Sequence, residues 1–379
     1  MRFSVLINKV MFRVVHLPVV RTASRFIYRS FCSKKSLELS LEAHQSITAK
    51  LPPHPKGHAL WPDSNQPSWV PEQYDLSIII PFYKTEQFAK DCIQSVLNQE
   101  TTFRYELILV DDGSPDNCPA ILDTYQHIPN VVVIHQPNRG LSGARNHGIQ
   151  IARGKYIMFH DSDDLLYPGS IQALMSAATE SHADIVDGSF QTMTLKGKPK
   201  KLYSHPEKLS CKGEGMFGYA CGKVFRRSLF QKICFPEGYW FEDTIISGLI
   251  FPLASVTKTI PNIVFMYRMN PKGISLSSKT NPKSIDTYYV TEEILAAHEE
   301  LGMEENRLGF LLQLGPYIYG RTQNLSKHEI QAIFLMAADL AQKYDLTSNL
   351  EGANYYQQQL ADALAHRRYK QWKWVCTLM

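Results

Sequence analysis

The chain has 379 residues and a mass of 43.2 kDa, room for two or three domains at roughly 150 residues each. With 44% apolar and 20% charged residues it is a globular chain, which excludes a disordered, collagenous or polytopic membrane protein. A net charge of +4 and a pI near 8.5 are far from a dedicated nucleic-acid binder and suit a binder of small anions.

The seven cysteines form no CxxC pair, which argues against a disulfide framework or a zinc site. Ahead of the first acid, Glu38, stand Arg2, Lys9, Arg13, Arg21, Arg25, Arg29, Lys34 and Lys35. Lys9 and Arg13 interrupt the apolar run well short of the ~18 residues of a membrane span. This Arg-rich, acid-free pattern fits a transit peptide, a stretch ahead of a later start, or a basic segment on a membrane surface. The proline-crowded residues 51–71 predict an extended linker, because proline fixes φ and lacks an amide donor. Residues 1–73 are thus expected to be a basic segment plus linker, with the folded domain starting near Tyr74.

Residues 76–81, LSIIIP, and 106–111, ELILVD, are short Ile/Leu/Val runs without alternation, the pattern of strands buried on both faces. Phe88, Cys92, Ile93, Val96 and Leu97 recur at helical spacing between them and predict a βαβ unit. The alternation continues with a helix near 118–127, a strand at 131–135, a helix near 142–152 and a strand at 155–160. Such a chain forms an α/β domain with a mostly parallel sheet, whose ligands gather at the carboxyl ends of the strands. Beyond Asn281, residues 291–301, 307–320, 327–344 and 355–370 have helical spacing, with turn signals at Pro316, Asn324 and 347–349. The expected organisation is a domain over 74–282 and a helical appendage over 283–379. In the last segment His366, Arg367, Arg368, Lys370 and Lys373 interleave with Tyr369, Trp372 and Trp374. This fits either an amphipathic helix on anionic lipid or a helix whose tryptophans pack on the domain.

Three predicted strands deliver polar residues to one rim: Pro81-Phe82-Tyr83, Asp111-Asp112-Gly113-Ser114, and Asp161-Ser162-Asp163-Asp164. Aspartates this close repel one another unless a cation neutralises them, and Mg2+ or Mn2+ takes carboxylates together with phosphates and water. Asp111 and Asp112 suit either a strand-ending turn or acceptance of a uracil imide N–H or ribose hydroxyl. The loop from Asn138 to Asn146, NRGLSGARN, could bring amides and guanidinium groups to phosphate, yet matches neither the Walker A nor the Rossmann fingerprint. Downstream, Glu242-Asp243 precedes the apolar run IISGLIF, where acids at a helix start are ordinary.

In this order over residues 76–244, SIIIPFYK, ILVDDGSPD, NRGLSGARN, HDSDD and FEDT resemble a family 2 glycosyltransferase of the bacterial cell-surface polysaccharide type. The resemblance spans roughly residues 74–280. It implies a GT-A fold, a Rossmann-like mixed, mostly parallel sheet flanked by helices. By that resemblance Pro81, Tyr83, Asp111 and Asp112 line the nucleoside pocket, while Asn138 and Arg145 hold base and phosphate. Asp161, Ser162 and Asp163 are the D-x-D box, with Asp163 and then Asp161 as ligands of Mn2+ or Mg2+. Asp243 is the catalytic base, and Tyr267-Arg268 with Ser275 and Ser277 resembles a segment that closes over the diphosphate. Lys223 matches a K-V-F-R-R pattern of less definite role. His160 replaces the usual apolar residue before the D-x-D and is expected to be a packed or surface histidine; Lys84 stands where the pattern favours Asn.

The implied reaction is an inverting, non-processive transfer from a nucleotide-sugar, by default a UDP-sugar, to a glycan or lipid-linked acceptor. No Q-x-x-R-W motif of the processive synthases is present, and the G-x-G-T-R loop of sugar-nucleotide pyrophosphorylases is missing. The alternative is a non-catalytic sugar- or lipid-binding scaffold on the same fold. The chain is expected in the cytoplasm, with contact to the inner face of the membrane through residues 366–374 and none to nucleic acid.

Overall fold

The computed structural model describes residues 46–49, 51–271, 273–274, 278–303, 307–348 and 350–379. It divides into two compact units, one over Pro55–Leu276 and the other made, among described residues, by those before Pro55 and after Ser277.

The first unit carries the predicted alternation: β1 (Tyr74–Phe82), α1 (Glu86–Leu97), β2 (Tyr105–Asp111), α2 (Cys118–Asp123), β3 (Val131–His135), α3 (Gly140–Ile151) and β4 (Gly154–Phe159). The chain continues through β5 (Leu165–Leu166), α4 (Ser170–Ser181), β6 (Ile185–Met193), β7 (Pro199–Tyr203), β8 (Lys208–Ser210), β9 (Lys223–Arg226) and β10 (Thr257–Arg268). These strands form one sheet in the order β3-β2-β1-β4-β9-β6-β10-β5, with β7 beside β6 and β8 beside β10. β1, β2, β3 and β4 are parallel, whereas β9 runs antiparallel to both β4 and β6. The architecture is mixed α/β with a mostly parallel first half, as the motifs led us to expect.

β1 is a continuous apolar run because both its faces are covered: Leu76, Ile78, Ile79, Ile80 and Phe82 are all fully buried. Each such aliphatic side chain contributes about 1.5–3 kcal/mol on burial. α1 turns Phe88, Ala89, Cys92, Ile93 and Val96 inward, the stripe its helical spacing predicts. α3 approaches the sheet closely because it carries Gly148, where an added Cβ would lie 2.4 Å from Cγ2 of Ile79. This close seat fixes where Arg145, one turn earlier on α3, reaches the rim.

The linker expectation for residues 51–71 needs correction. The stretch is largely irregular, as its prolines dictate, but Trp61 is buried and donates its indole N–H to the carbonyl of Phe230 at 3.0 Å. Trp69 donates to the carbonyl of Ile149 at 2.8 Å, and Leu60 bridges to Ile233. Two tryptophans anchor the segment, so the compact unit begins at Pro55 rather than Tyr74, and it ends at Leu276 rather than 282.

The second unit holds helices Asp286–Leu301, Arg307–Leu312, Ile318–Thr322, Lys327–Lys343, Tyr355–Ala365 and Tyr369–Leu378. Pro316, expected to mark a turn, sits inside a π-helical stretch, Gln313–Tyr317; the wider winding absorbs a residue that cannot donate a hydrogen bond. The expected helix over 355–370 breaks at His366–Arg368, with Arg367 at φ 49°. Of the two tryptophans of residues 366–374, Trp372 packs inside the helical unit itself and Trp374 is half-buried. Trp372 is fully buried against Tyr319 and Phe334 and donates to the carbonyl of Leu314 at 3.0 Å. Arg367 and Arg368 pair with Asp339 and Asp362, so two of the cations of this stretch are held by acids of the same unit. No helix among the described residues is long and apolar enough to cross a membrane.

Candidate active site

The carboxyl ends of β1, β2 and β4 meet at one rim, and two buried guanidinium groups organise it. Arg145 is only 3% exposed and donates to Glu242 at 2.7 Å and to Asp161 at 2.9 Å. Its guanidinium also lies 5.2 Å from the ring centre of Phe235. Burial opposes its charge, but the carboxylates of Asp161 and Glu242 hold its pKa well above the ordinary range. Arg145 therefore joins the D-x-D box to the Glu242-Asp243 pair, residues about eighty apart in sequence. Each of its terminal nitrogens donates to one carboxylate, so the guanidinium is held by the acids of the rim itself.

Arg268, at the end of β10, plays a similar part for the other aspartates. Its backbone N–H donates to Asp164 at 2.7 Å, while its guanidinium donates to the carbonyls of Asp163 and Leu195, each at 2.6 Å. It too is buried, and these bonds hold the aspartate loop. Asn270 donates to Asp163 at 3.0 Å. Asp161 is further tied through its carbonyl, which accepts from the Cys92 thiol at 3.6 Å. Ser162 is buried and accepts from the Thr85 hydroxyl at 3.1 Å.

Five carboxyl groups, Asp161, Asp163, Asp164, Glu242 and Asp243, thus surround two guanidinium groups. Burial, with neighbouring aspartates adding to it, pushes the Asp163 carboxyl up and the Asp164 carboxyl well up. Burial likewise raises Glu242 to about 7 against the pull of Arg145, with Asp243 adding to the rise. These shifts come first from burial and then from the like charge of neighbouring carboxylates, the two surroundings that disfavour an ionised carboxyl. Oxygen donors of this kind fit a hard divalent cation. No group of three or more potential metal-ligating side chains gathers among the described residues, so further donors would be substrate oxygens and water.

Asp243 and Glu242 enter the site through an unusual backbone. Phe241, just before them, has φ 61°, a conformation that costs a bulky residue about 1–3 kcal/mol and clusters at functional positions. The amide of Thr244 bonds back to Phe241 at 3.0 Å and that of Ile246 to Asp243 at 2.9 Å, closing the turn that leads into the π-helical stretch Ile246–Ile250.

At the β2 end both aspartates are buried and hydrogen-bonded. Asp111 is turned inward and committed, accepting from the amide of Ser114 at 3.0 Å and facing Nδ1 of His135 at 3.0 Å. It closes the strand-ending turn, in which Gly113 has φ 67° and lies against Asn138. Asp112 accepts from Gln136 and from the amide of Arg139, both at 2.8 Å, and burial still raises its pKa. Asn138 is exposed and donates to the carbonyl of Asp112 at 2.9 Å. Pro81 is buried within β1 opposite Val110, whereas Tyr83 just beyond is 43% exposed. Ser275 and Ser277 lie outside the described residues.

Lys223 and His160 belong to the core beside this rim. Lys223 is fully buried, 3.0 Å from Asp187, whose other oxygen faces Nε2 of His205 at 2.9 Å. His160 is buried, and burial lowers its pKa to about 4. A depressed histidine contributes stability that is complete above its ordinary value and lost as pH falls through the depressed one. His160→Leu is accordingly expected to flatten the loss of unfolding free energy between pH 6.5 and about 4, read from denaturant midpoints at a series of pH values. An unchanged pH slope would refute the assignment.

Glu242, Asp164 and Asn270 are the members of the rim that the motif reading did not select. Glu242 was visible only as half of an acidic pair, and Asn270 had no signal beyond following Arg268 by two residues.

The family model for glycosyl transferase family 2 matches residues 77–234. The glycosyltransferase GlyG of Streptococcus pneumoniae is 30% identical over 218 residues, which cover 52% of this chain and 72% of GlyG. The chain belongs to glycosyltransferase family 2. An uncharacterized glycosyltransferase of Bacillus subtilis, EpsJ, is 35% identical over 216 residues, covering 53% of this chain and 62% of that relative. Among solved structures, S. aureus TarS 1-349 in complex with UDP-GlcNAc superposes with a TM-score of 0.64 at 19% identity, covering 79% of this chain and 90% of TarS. That likeness concerns the fold, which is the GT-A-like arrangement of curled, mostly parallel sheet and flanking helices.

Proposed function

We propose that this glycosyltransferase carries out an inverting, non-processive transfer of a sugar from a nucleotide-sugar, a UDP-sugar first, to a hydroxyl of a glycan or lipid-linked acceptor in surface-polysaccharide assembly. The observation that carries the reading is the pair of bonds from Arg145 to Asp161 and Glu242, which ties the D-x-D box and the Glu-Asp pair into one charged rim. The complexes of TarS with UDP-GlcNAc and with UDP support a UDP donor by analogy.

In this reading the acceptor oxygen attacks the anomeric carbon from the face opposite the leaving group. Asp243 takes the hydroxyl proton as the new C–O bond forms, and the bond to the diphosphate oxygen breaks with its electron pair. Asp163, with Asp161 beside it, would hold Mn2+ or Mg2+, whose positive charge stabilises a departing diphosphate. Arg145 and Arg268 keep the carboxylates in place, and Asp112, Asn138 and the exposed Tyr83 face the nucleoside.

Release of UDP from a panel of UDP-sugars, with and without Mn2+, tests the reading. We expect Mn2+-dependent release for at least one sugar, abolished by EDTA and by Asp163→Asn, and a raised unfolding temperature with that donor. A chain that releases no nucleotide from any donor would instead be the sugar- or lipid-binding scaffold.

A further inference from the structure

β6 and β7 are joined by a tight, well-built turn whose surface is strongly cationic. The amides of Thr194 and Gly197 bond to the carbonyls of Lys198 and Thr194, each at 2.9 Å, and Gly197 has φ 80°. One step down the hairpin the Thr192 hydroxyl accepts from the amide of Lys201 at 2.9 Å and donates to its carbonyl at 3.2 Å. On this frame Lys196, Lys198, Lys200 and Lys201 are all exposed, and no acid occurs anywhere in residues 188–206. None of the four is ion-paired among the described residues, in contrast to nearby Lys208 and Lys258, which pair with Glu214 and Glu207.

Lysine on an edge strand ordinarily discourages strand-to-strand association. That accounts for Lys200 and Lys201 on β7 but not for Lys196 and Lys198, which lie in the turn beyond the ladder. Like charges so close on a rigid frame repel, and an anionic partner relieves the repulsion. The hairpin is also tied to the reaction rim: the guanidinium of Arg268 donates both to Leu195 in the hairpin and to Asp163 in the D-x-D box. A chain lying along the lysines would therefore lead to the carboxylate rim.

We infer that this hairpin is a docking surface for the acceptor, and that the acceptor is a polyanionic glycan whose repeating phosphate groups pair with Lys196, Lys198, Lys200 and Lys201. The inference rests on the glycosyltransferase reading and adds the chemical class of the acceptor. A bilayer surface fits less well, because Leu195 and Leu202 are the only large exposed apolar side chains of the hairpin and no Trp or Phe stands beside them to enter the interface.

The test compares the wild-type chain with the K196A/K198A/K200A/K201A variant for binding of fluorescently labelled long-chain polyphosphate across a salt series. Neutral dextran, an oligonucleotide of matching charge and vesicles of phosphatidylglycerol in phosphatidylcholine are run beside it. Wild type is expected to bind polyphosphate and not dextran. The variant, at an unchanged unfolding temperature, is expected to lose at least about tenfold in affinity at low salt. The slope of log affinity against log salt should fall by about 3, roughly one released counterion per lysine at the single-strand value. Equal affinity and slope in the two proteins overturns the inference. So does capture by vesicles or by the oligonucleotide in preference to polyphosphate, which would assign the hairpin to a membrane or to nucleic acid. Release of UDP from the donor should be equal in both proteins. Its absence in both would sink the glycosyltransferase reading, whereas its presence with unaltered polyphosphate binding sinks only the docking surface.

Discussion

Asp243→Asn should lower the rate of sugar transfer by about 10²- to 10⁴-fold, the range expected when a positioned general base is removed, while donor binding stays within a factor of a few. The amide is close in size to the carboxylate, so the turn set by Phe241 at φ 61° is preserved and only proton acceptance is lost. Because Asp243 is assigned to the acceptor hydroxyl and not to the nucleotide, the loss should appear in kcat rather than in the donor KM. Single-turnover transfer with radiolabelled donor, alongside calorimetric titration of UDP, separates the two effects. Transfer within a few-fold of wild type would remove Asp243 from the role, and lost UDP binding would move it to the donor pocket. Glu242 cannot simply take over, because it is buried and bonded to Arg145 at 2.7 Å.

Arg145→Met should have the largest effect on the integrity of the site. The methionine strands Glu242 in the interior and leaves Asp161 facing its neighbouring aspartates. Removing one partner of a buried ion pair typically costs about 3–5 kcal/mol. Arg145→Lys should recover only part of this, since one ammonium cannot reproduce two parallel contacts made by separate nitrogens of a planar fork. Urea unfolding of both variants, with transfer assays on the folded fraction, gives the measurement. A second comparison guards against simple misfolding: R145M/E242L removes both buried charges and should regain much of the stability without regaining transfer. If R145M unfolds at the wild-type urea concentration, the buried bridge is not what holds the two acidic motifs together. If R145M/E242L transfers sugar normally, the bridge has no part in the reaction.

These two residues also show how far sequence alone reaches. Periodicity was sufficient for the first half of the domain, because buried parallel strands and amphipathic helices write their burial directly into local spacing. β1 to β4 with the three helices between them stand within a few residues of expectation. The rim was legible for the same reason: polar residues at the ends of apolar strands have one place to go. The helical appendage was legible in its helices but not in the inward turn of Trp372, since a cationic, aromatic stretch reads identically whether its rings meet lipid or protein.

The chain's periodicity and motif order by themselves determined the α/β class, the family and part of the set of residues gathered at one rim. What only the tertiary structure decided is the direction in which each of those residues faces. Asp111, Arg145 and Arg268 were expected to meet the donor, and the fold gives each of them partners within the protein, Ser114, Glu242 and Leu195 among others. Residues 51–71 were expected to be an extended linker ahead of the domain, yet Trp61 and Trp69 fasten them to it. The physical reason is common to all of these cases. A polar or aromatic side chain carries no local signature of its partner, because the partner lies tens of residues away and the fold alone brings it within about 3 Å, the reach of a hydrogen bond.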